Sequence, residues 1–145
     1  MKTILIRFSV LACLLVIAST AKAQSIQVAG TPHGVEVIYT AASQGTDPNA
    51  IAGYFIFRCS GTATTCINTS PVGWVQENTS PDAALSYLDP ATNGFTNGLS
   101  YTYAVQTVDV KGNVSVFSNT STVQVPSSGF PSNPNAPAAP TVTVQ

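Results

Sequence analysis

Three segments of the chain, residues 35–40, 54–59 and 101–108, alternate between two sets of side chains with a period of two. In the first of them, apolar Val35 and Val37 take every second position, with Glu36 between them. Successive side chains of a strand point to opposite faces, so the pattern predicts β-strands and not helices.

Short runs of turn-forming residues separate these segments, for example at 46–49, 79–82, 93–94 and 111–113. Gly and Asn adopt positive φ readily and Pro presets a turn, so each run is expected to reverse the chain. Their spacing predicts seven short antiparallel strands with no room for helices, which indicates an all-β, immunoglobulin-like β-sandwich. The predicted strands cover residues 25–29, 34–41, 53–59, 72–77, 84–88, 99–109 and 114–125.

Residues 1–23 have the pattern of a secretory signal peptide with cleavage after Ala23. A basic start is followed by an apolar run and then by small residues before the cut. The apolar run is too short for the roughly 20 residues that span a bilayer, so no membrane span is predicted. A weaker alternative is a lipoprotein signal, in which Cys13 after Val10-Leu11-Ala12 would carry the lipid. We expect a secreted, periplasmic or cell-surface protein.

Charged residues make up only 8% of the chain, against roughly 25% in typical soluble domains. Beyond residue 23 two basic side chains, Arg58 and Lys111, face six acidic ones, a net charge of −4. Two cations cannot form the basic stripe that nucleic acid requires, so no nucleic-acid partner is expected. The acidic residues are Glu36, Asp47, Glu77, Asp82, Asp89 and Asp109.

Beyond the signal peptide the chain keeps two cysteines, Cys59 and Cys66. An even number of cysteines in an oxidising compartment predicts a disulfide, here one that pins the loop between them. A metal or redox pair would need CxxC spacing or further ligands, and neither is present.

Four blocks in order resemble a fibronectin type III domain over about residues 25–126: GYFIFR at 53–58, SYLD at 86–89, Phe95 with GLSYTYAV at 98–105, and DVKGNVS at 109–115. The resemblance implies a fibronectin type III sandwich. It makes Tyr101 the tyrosine-corner residue, whose hydroxyl bonds back to the backbone. It also places Tyr39 where the family usually has a Trp.

Residues 127–145 form a proline-rich segment for which we predict a linker or a disordered tail, giving a domain that covers 24–126. The last residues, 139–145, are similar to the opening strand of another fibronectin type III repeat. The segment could therefore lead into a second domain or offer a strand to a partner's sheet edge.

Catalytic chemistry has few candidates. His33 stands alone in a predicted turn, and most carboxylates fall at turns, where Asp is common for conformational reasons. Asp109 and Asn113 flank a glycine but lack the dense oxygen ligands of a calcium loop. We therefore predict no catalytic residue, no metal and no cofactor.

Two non-catalytic functions remain open. In the first, a binding or adhesion module contacts a protein or a carbohydrate at the cell surface through the outer face of the sheet formed by the predicted strands 53–59, 99–109 and 114–125. In the second, the domain is a passive spacer whose aromatic residues are covered by the strand that contains Trp74. The oligomeric state and any glycosylation at the four Asn-x-Ser/Thr sequons stay open. The candidate binding face consists of Phe55, Phe57, Trp74, Ala104 and Val108.

Overall fold

The structure is a computed structural model that describes residues 25–44 and 48–131. The predicted signal peptide with its cleavage point, the Cys13 alternative and the tail from 132 onward lie outside the described residues. Within the described ranges the chain forms seven β-strands and no helix. They are β1 (Ile26–Thr31), β2 (Gly34–Tyr39), β3 (Ile51–Ser60), β4 (Trp74–Gln76), β5 (Ser86–Pro90), β6 (Ser100–Asp109) and β7 (Ser121–Gln124).

The strands form two antiparallel sheets that pack face to face. One sheet has three strands in the order β1-β2-β5, and the other has four in the order β4-β3-β6-β7. The long β3–β6 pair sets Phe57 opposite Ala104 and Cys59 opposite Thr102. The predicted all-β, immunoglobulin-like sandwich is confirmed.

The period of two places one side of each long strand in the core. Val35 and Val37 of β2, Ile56 of β3 and Tyr103 and Val105 of β6 have no exposed surface. Ile38, between the buried positions of β2, is 47% exposed. Burial of each large apolar side chain contributes about 1.5–3 kcal/mol, so the alternation fixes which face of each strand turns inward.

Tyr39, at the position where the resemblance leads one to expect Trp, is buried against Tyr54 with ring centroids 5.0 Å apart in an edge-to-face contact. The Tyr39 hydroxyl donates to the Ala84 carbonyl at 2.7 Å, and the Tyr54 hydroxyl accepts the Ala42 N–H at 3.1 Å. Two tyrosines with satisfied hydroxyls therefore fill this part of the core.

The last strand differs from its predicted range of 114–125, because regular pairing begins only at Ser121. The Ser115 N–H donates to the Thr107 carbonyl, and the Ser118 N–H donates to that of Val105. The four residues 115–118 thus oppose the three residues 105–107 of β6, one residue more than a regular ladder allows, as in a bulge. The Oγ of each serine also accepts an N–H of β6, at 3.0 Å, which replaces regular ladder bonds.

The packed part of the chain continues past residue 126, the predicted end of the domain. A turn closes with the Gly129 N–H donating to the Pro126 carbonyl, and the Phe130 ring then packs edge-on against Phe95 with centroids 5.1 Å apart. Phe130 also lies against the hydrophobic core. The first residues of the predicted linker therefore belong to the packed part of the described chain.

Candidate binding surface

The outer face of the four-stranded sheet carries the predicted binding residues, and the structure separates them into two groups. Phe55, Phe57 and Trp74 are partly exposed. Ala104 and Val108, in contrast, are 0% and 3% exposed, so they offer a ligand almost no surface. Both lie on β6, which is paired with a strand on each side. Residues that follow β6 also approach it closely, as in the bridge between Val108 and Val114.

Three aromatic rings, Phe57, Trp74 and Phe117, form what we call the outer aromatic cluster. The Phe57 and Phe117 centroids are 4.9 Å apart at 73°, and those of Trp74 and Phe117 are 5.3 Å apart at 34°. All three rings are half-buried. Phe117 therefore joins the two predicted aromatic residues into one surface.

Sequence reasoning missed Phe117 because it falls inside the predicted strand 114–125. The Ser115 and Ser118 hydroxyls bind β6 and hold the intervening residues out of a regular ladder. Phe117 is the one aromatic residue between Tyr103 and Phe130. This isolated ring was the available signal in the sequence that the segment packs on the face of a neighbouring strand.

The predicted disulfide between Cys59 and Cys66 is present, with the two Cα atoms 5.9 Å apart. Cys66 is almost fully buried, so the bridge draws the loop 61–73 onto the outer face. Two further contacts hold this loop: the Trp74 indole N–H donates to the Ile67 carbonyl at 3.2 Å, and the Asn68 amide donates to the Ser118 carbonyl at 3.1 Å. The loop, the cluster and the segment 115–118 thus brace one another.

The chain segments that form most of the outer face carry no charged side chain. Residues 59–76 and 112–131 contain no Asp, Glu, Lys, Arg or His. The β6 positions that face outward are Ser100, Thr102, Ala104 and Gln106, in register with Phe57 and its neighbours. Rings, hydroxyls and amides are therefore the groups that a ligand on this face meets.

Arg58 points to the opposite side of the sheet from this face, into the sandwich. Its Nη1 lies 2.9 Å from Asp89 Oδ2, and its Nε lies 3.0 Å from Glu77 Oε1. The guanidinium also stacks over the Phe95 ring, with Cζ 4.7 Å from the centroid. The pattern of the sequence predicts no shared role for these groups. We call Arg58, Glu77, Asp89 and Asn93 the buried polar cluster.

One cation faces two carboxylates in the buried polar cluster. The Asn93 amide donates to Glu77 Oε2 at 2.6 Å and to Asp89 Oδ1 at 2.8 Å, and the Tyr103 hydroxyl donates to Asp89 Oδ2 at 2.7 Å. Burial, followed by the charge of Asp89, raises the pKa of Glu77. Burial and the bond to Asp89 raise the pKa of Tyr103. The cluster ties β3, β4 and β5 together and is closed to a ligand on the outer face.

The turn after β6 is organised by the Asp109 carboxylate. Its Oδ1 accepts the N–H groups of Lys111 and Asn113, and its Oδ2 accepts the side-chain amides of Asn113 and Asn49. Hydrogen bonding, first of all from the Asn113 side chain, lowers the pKa of Asp109. The carboxylate thus faces four N–H donors, and turn formation accounts for its position.

Tyr101, the predicted tyrosine-corner residue, is buried at the start of β6. Its hydroxyl accepts the backbone N–H of Thr96 at 2.7 Å, five residues earlier in the chain. Its ring packs against Phe95 with centroids 4.8 Å apart. Tyr101 therefore fixes the crossing between the two sheets.

The remaining sequence candidates occupy ordinary surface positions. His33 is exposed in the turn between β1 and β2. Among the sequons, Asn78 is engaged: its Oδ1 accepts the Ile56 N–H and its amide donates to the Tyr54 carbonyl. In the described part of the chain, no group of three or more His, Cys, Asp or Glu side chains could hold a metal ion, and no helix could span a membrane.

Solved structures with the same arrangement of strands define the class of this domain. An Fn3-like protein from Clostridium thermocellum is 18% identical and superposes with a TM-score of 0.53, covering 75% of this chain and 96% of that one. The sixth fibronectin type III domain of human fibronectin type III domain containing protein 3 is 17% identical, with a TM-score of 0.53 over 81% and 95% of the two chains. Titin module A71 from human cardiac muscle is 16% identical, with a TM-score of 0.52 over 70% and 86%.

The chain is thus an immunoglobulin-like β-sandwich. More narrowly, it has the fibronectin type III fold, which confirms the resemblance found in the sequence. No family model matches the chain, and no curated protein matches it by sequence. The likeness shows the fold, and function has to be argued from the surface.

Proposed function

We propose that the chain is an exported, non-catalytic binding module that contacts a cell-surface component through the outer aromatic cluster. In this proposal residues 1–23 are a signal peptide, 24–126 hold the domain with Phe130 as an added contact, and the rest is a linker or tail. The observation that carries the proposal is the cluster itself: three half-buried rings on a sheet face without charged side chains.

The arrangement of the cluster supports recognition. Aromatic rings supply large contact areas at low entropy cost, and they dominate the energetics of many binding surfaces. The disulfide and the bond from Trp74 to Ile67 hold the rings in place before any partner arrives. Such preorganisation reduces the ordering cost of binding.

Cosedimentation with washed cell envelopes tests the proposal. Phe117→Ala removes the ring that joins Phe57 to Trp74, and we expect it to reduce the bound fraction at least fivefold. Leu88→Ala, at a 47% exposed position on the other sheet, is the matched control and should bind as the parent does. Equal binding by all three proteins, or none by the parent, contradicts the proposal.

A passive spacer is the second candidate function, and the burial of Ala104 and Val108 favours it, because part of the outer face is already covered. Acrylamide quenching separates the two functions, since Trp74 is the sole Trp of the chain and lies in the cluster. An accessible binding face predicts intermediate quenching of Trp74. Complete protection of the indole favours the spacer.

A further inference from the structure

The chemistry around the outer aromatic cluster points to the class of its ligand, on the assumption that the proposed binding function holds. The register places Gln76, Phe57 and Ala104 in one row across the sheet. The next row on the same face runs from Trp74 through Cys59 to Thr102 and Thr122. Both rows offer rings, hydroxyls or amides and no formal charge.

Basic side chains are also sparse on the rest of the described surface. Arg58 is turned into the sandwich and its charge is met by Glu77 and Asp89. Lys111 is the one exposed Lys or Arg among the described residues, and it lies in the turn after β6 and not on the outer face. An anionic polymer therefore meets no basic patch here, and the outer face itself offers no charged group to a charged protein partner.

We propose that the outer aromatic cluster binds an uncharged polysaccharide. The faces of aromatic rings carry negative partial charge, and the C–H groups of a sugar ring carry slight positive charge, so the two surfaces attract when stacked. Exposed Gln76 and Thr122 and half-buried Asn68 each make a hydrogen bond within the chain, and their remaining amide and hydroxyl capacity is what they offer to sugar hydroxyls. An uncharged ligand is the electrostatic complement of this uncharged face.

The dimensions of the face suit a polymer. The row from Trp74 to Thr122 crosses four strands, which at the usual strand spacing is roughly 14 Å. The rings lie near one end of this row and the exposed Thr122 hydroxyl lies at the other, while Thr102 between them is buried with its hydroxyl bonded to the Gly61 carbonyl. A chain of linked sugars lying across the strands contacts both parts at once.

Affinity gel electrophoresis provides the test, with the full secreted chain run through native gels that contain a defined polymer. The neutral panel is hydroxyethylcellulose, glucomannan, dextran and pullulan. Carboxymethylcellulose, which has the same backbone as hydroxyethylcellulose but carries carboxylates, is the charged counterpart. We expect retardation in at least one neutral gel and at least tenfold weaker retardation in carboxymethylcellulose.

Two substitutions of Trp74 isolate the role of the ring. Trp74→Phe and Trp74→Leu both lose the indole bond to the Ile67 carbonyl, so their effects on the loop are matched. Trp74→Phe keeps an aromatic face and should retain at least a third of the affinity. Trp74→Leu should lose tenfold or more at an unchanged unfolding midpoint relative to Trp74→Phe, whereas Leu88→Ser should bind as the parent does.

Several outcomes overturn the inference. Absence of retardation in the whole neutral panel, or equal retardation in carboxymethylcellulose, contradicts an uncharged polysaccharide. Loss of envelope binding after protease treatment of the envelopes identifies a protein ligand, in which case the proposed binding function stands and this inference fails. A dimer in analytical ultracentrifugation that Trp74→Leu dissociates identifies a second copy of the chain as the occupant.

Discussion

The Arg58 guanidinium and the Asp89 carboxylate form an ion pair inside the sandwich, with Nη1 and Oδ2 2.9 Å apart and Asp89 without exposed surface. Arg58 occupies the inward register of β3, two residues after Ile56, where the alternation calls for an apolar side chain. The charge is tolerated there because Asp89, Glu77 and the Phe95 ring surround it. Buried pairs of this kind depend on every member being satisfied.

Removing the cation should therefore damage the fold more than removing one anion. Arg58→Met leaves the Glu77 and Asp89 carboxylates buried without a cation, and we expect it to lower the free energy of unfolding by about 3–5 kcal/mol at pH 8. Asp89→Asn leaves Arg58 paired with Glu77 and should cost less. Urea denaturation measures both, with Lys111→Met as the exposed control. A larger loss for Asp89→Asn than for Arg58→Met contradicts this account of the cluster.

The raised pKa of Glu77 predicts a pH dependence with a definite sign. In the folded protein Glu77 holds its proton to higher pH than in the unfolded chain, where its pKa is near 4.5. The folded state therefore binds more protons between these two values, and stability falls as pH rises through that window. The difference in unfolding free energy between the parent and Glu77→Gln should decline above about pH 4.5 and level off once the folded pKa is passed.

Asp109 serves as an internal control, because its contribution to stability changes with pH in the opposite direction. Hydrogen bonds lower its pKa in the folded state, so its contribution is present above its unfolded pKa of about 3.8 and is lost as pH falls through the folded value. Asp109→Asn should flatten the acid side of the stability profile and leave the window above pH 4.5 unchanged. A parent profile that rises with pH above 4.5 relative to Glu77→Gln contradicts the assignment to Glu77.

The fold could be predicted from the sequence because its main determinants are local. Strand alternation, turn residues and cysteine number are all readable in a single chain, and each predicted strand overlaps an observed one. The last strand was the least accurate, because the pairing of Ser115 and Ser118 through their side chains depends on the partner strand and not on alternation.

The surface was predicted only in part, since exposure depends on what folds back over a face. Phe57 and Trp74 were found from strand register, whereas the covering of Ala104 and Val108 and the placement of Phe117 follow from contacts between distant segments. The alternation in the sequence placed Arg58 on the same side as Tyr54 and Ile56, but no buried carboxylate partner was predicted for it. The identity of its partners, Glu77 and Asp89, required the tertiary structure.

The disulfide should stabilise both the fold and the outer aromatic cluster. The Cys59–Cys66 bridge closes a short loop, so the double variant Cys59→Ala/Cys66→Ala should lose about 2–3 kcal/mol in urea denaturation. Freed from the bridge, the loop 61–73 should hold Trp74 less firmly. We expect the Trp74 emission maximum to shift to the red under native conditions. Emission identical to that of the parent indicates that other contacts place the ring.

The Tyr101 hydroxyl should stabilise the fold through one hydrogen bond. Tyr101→Phe keeps the ring against Phe95 and leaves the Thr96 N–H without its partner at 2.7 Å. We expect a loss of about 0.5–1.5 kcal/mol in thermal or urea unfolding, the usual net contribution of one hydrogen bond, because Thr96 is exposed and water can reach its N–H. Phe57→Ser, on the outer face, should cost less than Tyr101→Ala, which also opens a core cavity of the kind that costs about 3–5 kcal/mol.

Phe130 should extend the stable domain beyond residue 126. Its ring meets the Phe95 ring edge-on at 5.1 Å, and Phe95 in turn packs against Tyr101 and lies beneath the Arg58 guanidinium. A chain that ends at residue 126 loses this ring and should be less stable than one that ends at 131 by about 1 kcal/mol, the scale of one aromatic pair. Phe130→Ala in the longer chain should reproduce most of the loss. If both chains unfold at the same urea concentration, Phe130 does not stabilise the domain and 126 is the better boundary.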